Sequence, residues 1–239
     1  MPTDPTTLAL TLAVVVLGAA LQGAAGFGMA LIAAPPLMIL APELIPGPLI
    51  ASGVVLTGAV ALRDRGAIDF SGLRYSLIGR AFGTALAALF LAVSSAQAFD
   101  LAFGLFVLTG VGLSAAGIQL RLSPLSAGFA GLLSGLMGTI SAIGGPPMAL
   151  LYQHSGAERL RATLSGYFVL GVGFSLLGLA AVGRFGWTEL KLSLLLSPAM
   201  ALGFLLSLPL QSRLPERMIR PIILILSLVS GAWVIYRAA

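Results

Sequence analysis

The sequence predicts an all-α integral membrane protein made of two inverted repeats of four apolar segments each, with the first segment of each repeat broken or re-entrant. Three observations carry this. Of the 239 residues, 58% are hydrophobic and 9% charged, and the mean hydropathy is +1.05, whereas a soluble domain carries about 25% charged residues. A stretch rich in Gly and closed by Pro, residues 22 to 36, recurs at residues 134 to 147. An offset of 112 places Gly23 on Gly135, Gly26 on Gly138 and Pro35 on Pro147. The basic residues, finally, divide unevenly between the two ends of the segments.

The N-terminus carries Asp4 and no Lys or Arg, so it lacks the basic region of a cleaved signal peptide and is expected to remain on the mature chain. Segment one, Leu8 to Leu40, exceeds the roughly 20 residues of a single crossing. The Gly cluster and Pro35-Pro36 are expected to divide it. Segment two, Leu49 to Leu62, ends on Arg63-Asp64-Arg65-Gly66. Segment three, Leu73 to Val93, contains Arg80, and segment four runs from Phe99 to Ile118. Arg121-Leu122-Ser123-Pro124 is the midpoint, so residues 1–120 form the first membrane repeat and residues 121–239 the second, within one membrane domain. Segment five, Leu125 to Tyr152, repeats the interruptions. Segments six (Leu160 to Val182), seven (Leu190 to Leu210, with Pro198 inside) and eight (Met218 to Tyr236) complete the chain. Asp69 meets Glu189 and Gly83 meets Gly203 at an offset of 120, and Gly110 meets Gly231 at 121. Slowly growing offsets are what a duplication with loop insertions leaves behind.

Topology follows from the 13 basic residues. If segments one and five each cross once, the residues divide 8 to 5. If both segments enter and return on the same side, Arg63, Arg65, Arg74, Arg80, Arg121, Arg159, Arg161, Arg213, Arg217 and Arg220 fall together against Arg184, Lys191 and Arg237, a division of 10 to 3. The positive-inside bias selects the second arrangement, with both termini outside. Each half then crosses three times. An odd number of crossings inverts the second half and brings the two interrupted segments toward the midplane from opposite sides.

Composition also excludes functions. The net charge of +5 is spread between apolar segments without forming a face, and no nucleic-acid motif accompanies it. With no Cys and a single His154 in a polar loop, neither thiol chemistry nor a metal cluster is expected. Gly26-Phe27-Gly28 lacks the strand, the third Gly (Leu31 stands there) and the acidic residue of a dinucleotide fingerprint. No Asp or Glu occupies a segment centre, so a carboxylate proton relay has no support. The Ser residues lack an acid-base partner for hydrolysis. No cofactor and no enzymatic activity are expected.

The residues that remain point to an anion site. Helix N-termini present free backbone N–H groups and about half a positive charge. Two broken segments facing one cavity therefore make Gly23, Gly26, Phe27, Gly28, Gly138, Gly144 and Gly145 candidate substrate-binding residues, with Gln22, Ser134, Thr139 and Ser141 adding neutral hydrogen bonds. Arg80 is the one charge well inside an apolar segment. It faces either the cavity or, by snorkelling, the headgroups. Gly79, Gly83 and Gly131 have the spacing of close helix contacts.

Taken in order, Gln22 to Gly28 through Pro35, Ala51-Ser52-Gly53, Gly66-Ala67-Ile68-Asp69, Gly79-Arg80-Ala81-Phe82-Gly83, Gly144-Gly145-Pro146-Pro147 and Leu164-Ser165-Gly166 resemble the sulfite exporter (TauE/SafE, TSUP) family over nearly the whole chain. The resemblance implies a multi-pass transporter of the cell inner membrane for the export or uptake of sulfur-containing anions such as sulfite, sulfoacetate or other organosulfonates, with export the reading taken. A channel-like anion facilitator and a non-enzymatic membrane subunit are the alternatives, and concentration against a gradient separates a transporter from a channel. The implied partners are a small anionic substrate and the lipid bilayer, with a homo-oligomer left open.

Overall fold

The computed structural model describes residues 4–116, 120–213 and 216–238. Ile118, the expected end of segment four, lies outside them, as do the side chains of Arg213, Arg217 and Arg220. Among the described residues there are ten α-helices and no strand: α1 (Pro5–Ala25), α2 (Met29–Leu40), α3 (Gly47–Arg63), α4 (Phe70–Val93), α5 (Ala96–Ala115), α6 (Pro124–Ser141), α7 (Gly145–Tyr152), α8 (Ala157–Ala181), α9 (Trp187–Arg213) and α10 (Glu216–Ala238). Six of these, α1, α4, α5, α6, α8 and α9, are long and apolar enough to cross a membrane.

Several helices begin one to three residues before the apolar segments do, where polar caps start them. Asp69 accepts the Ser71 N–H ahead of α4 and Ser95 accepts the Ala98 N–H ahead of α5. Ser123 and Ser126 form a reciprocal capping box ahead of α6.

Both interrupted segments fold back as helical hairpins. After α1, Gly26 (φ +96°) and Gly28 (φ +113°) adopt left-handed backbone that only Gly takes readily. The chain then reverses, so that Gly18 of α1 lies against Met29 and Ala33 of α2. A straight continuation would put Gly18 and Ala33 about 22 Å apart. In the second hairpin Ala142 (φ +64°) makes the turn, and Gly144 returns to lie against Ser134 and Gly138 of α6. Pro35 and Pro36 do not divide the segment as expected; they sit inside α2. A proline at position 35 leaves the Leu31 carbonyl without its helical donor, and the Ser227 hydroxyl of α10 supplies that bond at 2.6 Å.

α4, about 36 Å long, serves as a ruler. At its N-terminal end Asp69 pairs with Arg159 at 2.9 Å and Asp64 with Arg161 at 3.5 Å. At its C-terminal end Arg184 donates to the Leu91 carbonyl, and Glu43, Arg184 and Glu189 line one cleft. The loops carrying Arg63 and Arg159 therefore share an end. Single crossings of segments one and five would have set them on opposite ends.

Closest packing runs through glycines. A Cβ on Gly79 or Gly83 of α4 would strike the Gly128 or Leu132 carbonyl of α6, and one on Gly131 or Gly135 of α6 the Ser76 or Arg80 carbonyl of α4. These small residues let the two backbones touch, which is how helices associate in lipid. The apolar cluster of α1, α2, α3, α5 and α9, with Val15, Leu37, Leu56, Phe103 and Leu196 fully buried, fills the other side of the molecule.

Candidate functional site

Each break is bridged by a polar side chain of the hairpin's own first helix. Gln22 Oε1 accepts the Met29 N–H at 3.0 Å. The Ser134 hydroxyl donates to the Gly144 carbonyl at 2.6 Å. Gln22 and Ser134 are separated by the same offset of 112 that relates the glycines.

The two breaks meet. Gly145, at the start of α7, packs against Phe27, and beside this contact lies a cavity of about 70 Å³. Its walls are Gln22 and Gly28 to Leu31 from the first hairpin, Leu49, Ile50, Gly53 and Thr57 from α3, Arg80 from α4, Gly138 and Ala142 to Pro146 from the second hairpin, and Phe168 and Val172 from α8. The first ladder bond of α2 runs from Ile32 N–H to the Gly28 carbonyl. The Ala30 and Leu31 N–H groups thus have no acceptor within the helix. The matching start of α7 is poorer in donors, because Pro146 and Pro147 carry no N–H.

Among the described residues Arg80 is the single charged one on the cavity wall, and it is only 4% exposed. Nη1 donates to Ser134 at 3.2 Å and Nη2 to Ser175 of α8 at 3.3 Å. Nε is buried without a partner. The guanidinium carbon stands 5.0 Å from the centre of the Tyr167 ring and 5.9 Å from that of Phe168, a cation–π arrangement. Among the described residues no carboxylate pairs with it. Of the two readings of Arg80, snorkelling is therefore not what the geometry shows.

Of the sequence candidates, Gln22, Gly28, Arg80, Gly138, Gly144 and Gly145 line the cavity. Gly23 instead faces Ser207 of α9, and Gly26 packs on Leu160 and Arg161 of α8. Phe27 closes the contact between the hairpins. Ser134 and Thr139 stand behind Arg80, and Ser141 bonds the Met137 carbonyl and the Ile143 N–H, shaping the turn. Sequence reasoning missed Thr57, Phe168, Tyr167 and Ser175. Hydroxyls and aromatics inside apolar helices carry no periodic signal that sets them apart from packing residues.

Asp64 and Asp69 lie between α3 and α4, outside the spans, and pair there with arginines at the ends of α3 and α8. The Arg63 hydrogen bond, joined by the charges of Arg63 and Arg161, holds the Asp64 carboxyl below the usual carboxylate range. The Ser71 hydrogen bond, with Arg159 adding to it, does the same for Asp69.

A helical bundle of this apolarity, with two interrupted hairpins meeting at one cavity, defines a multi-pass membrane protein. Residues 10–234 match the family model described as sulfite exporter TauE/SafE, and the chain belongs to that family of membrane transporters. It is accordingly not an enzyme. No curated protein and no solved structure matches the chain.

Proposed function

We propose that the chain exports a small sulfur oxyanion, sulfite foremost, across the cell inner membrane, holding it between the two hairpins. The observation that carries this reading is Arg80, a buried guanidinium with no carboxylate partner among the described residues, on the wall of the cavity where the breaks meet. Even a lenient scale charges about 2.5–3.5 kcal/mol for an Arg at the centre of a membrane helix. A bound anion offsets that cost, and the Ala30 and Leu31 N–H groups add donors without adding charge. The cavity supports a compact substrate. A single water needs about 10–15 Å³ on the same scale, so 70 Å³ suits sulfite better than sulfoacetate or a longer organosulfonate.

The packing supports an inverted duplication of residues 1–120 and 121–239. α4 packs on α6 and α1 on α9, α3 on α9 and α4 on α8, α2 on α10 and α5 on α7, and in each case exchanging the halves turns one pair into the other. Gly83 meets α6 as its counterpart Gly203 meets α1.

The test is a flux panel in proteoliposomes with sulfite, sulfate and sulfoacetate inside. We expect saturable sulfite efflux, with sulfoacetate slower. Faster movement of sulfoacetate than of sulfite would contradict the size argument, and no sulfite movement would overturn the assignment.

A further inference from the structure

One helix is shaped around Arg80 in a way that the substrate reading alone does not require. Tyr167, Gly171 and Ser175 recur every fourth residue along one face of α8. Arg80 lies across that face. A Cβ on Gly171 would fall on its Nε and guanidinium carbon, Tyr167 and Phe168 offer their rings on one side, and Ser175 receives Nη2 on the other. Arginine only donates, so the Ser175 oxygen accepts. Its own proton is then free for Thr139 Oγ1 at 2.9 Å, and that hydroxyl stands 3.3 Å from Thr84 Oγ1, one turn beyond Arg80 on α4. Neutral hydroxyls thus occupy the place where a carboxylate would cancel the charge.

We propose that Gly171 and Ser175 are positioning residues: the bare backbone at Gly171 and the hydroxyl of Ser175 set where the undiminished charge of Arg80 stands, and thereby the affinity for the anion. This rests on the reading of the cavity as an oxyanion site. Gly171 supplies the slot, since any side chain there would displace the guanidinium. Ser175 supplies an acceptor that fixes Nη2 while leaving the positive charge unpaired.

Sulfite binding to the purified full chain, followed by calorimetry together with the melting temperature in the absence of sulfite, tests this. Ser175→Ala and Gly171→Ala should each weaken sulfite about tenfold, the loss expected of one charged hydrogen bond or a comparable displacement. Ser175→Ala should stay folded with at most a modest drop in melting temperature, and Ser175→Thr, which keeps the hydroxyl, should bind as the unaltered chain does. In an Arg80→Gln background, Ser175→Ala should cost nothing further. If Gly171→Ala fails to fold, the Ser175 series carries the test alone. Single variants that bind sulfite normally, or a Ser175→Ala loss that persists in full without Arg80, would overturn the positioning role and leave the oxyanion reading standing. No sulfite binding by the unaltered chain would overturn that reading, and the positioning role with it.

Discussion

The two arms of the Arg80 guanidinium serve different elements, with Nη1 bonding Ser134 of the second hairpin and Nη2 bonding Ser175 of α8. Lysine has one compact ammonium and cannot hold both in the same plane. Arg80→Lys should therefore weaken sulfite roughly tenfold while Arg80→Gln weakens it further, because a lost charged hydrogen bond is the smaller deficit. Titration of both variants against sulfite checks this, and equal, undiminished affinity would show that the charge has no part in binding. Arg80 itself was legible in the sequence, because a charge inside an apolar segment is costly. Its surroundings were legible only in part: Ser134 stood out by its place in the second broken stretch, whereas Ser175 and Gly171 look like any small residues of a membrane helix.

Among the elements, the two hairpins show how far pattern reaches. Glycines at an offset of 112 disclosed that segments one and five are interrupted, and the count of basic residues favoured re-entry over crossing. Pro35-Pro36 misled, because the donor they remove is replaced by Ser227, almost 200 residues away in sequence. The contact of α4 with α6 is the tightest pairing, and it depends on absent side chains. Gly83→Val would drive a branched side chain into the Leu132 carbonyl and should cost about 3 kcal/mol, at the upper end of ordinary overpacking. A drop in melting temperature and in recovered monodisperse protein would register it, and an unchanged melting temperature would contradict the packing. The loop layer answers to pH. Asp64 and Asp69 have carboxyls held below their unfolded value, near 3.9, so their stabilisation is present above that value and lost as pH falls through the lower folded one. Melting temperature should fall on acidification below about pH 4, and less steeply for Asp64→Asn; identical slopes would remove Asp64 from the explanation.

For the molecule as a whole, the pairing of helices is nearly symmetric but the charge is not. At the offset of 120 that relates Gly83 to Gly203, Arg80 corresponds to Met200, which is fully buried among apolar neighbours. One half supplies the charge and both supply the breaks, an asymmetry that suits one anion at one site. Orientation is open to direct labelling, helped by the absence of native Cys. With the Arg63 and Arg159 loops inside, Thr188→Cys should react with an impermeant maleimide added to intact cells, and Gly66→Cys should not; the reverse pattern would invert the topology. The claim on which everything else turns is that this cavity moves a sulfur oxyanion by means of Arg80. Its most direct test is sulfite efflux from proteoliposomes holding equal amounts of the unaltered chain or of Arg80→Gln. Saturable efflux that Arg80→Gln abolishes is the expected result, and efflux at the same rate and with the same half-saturation in both would contradict it.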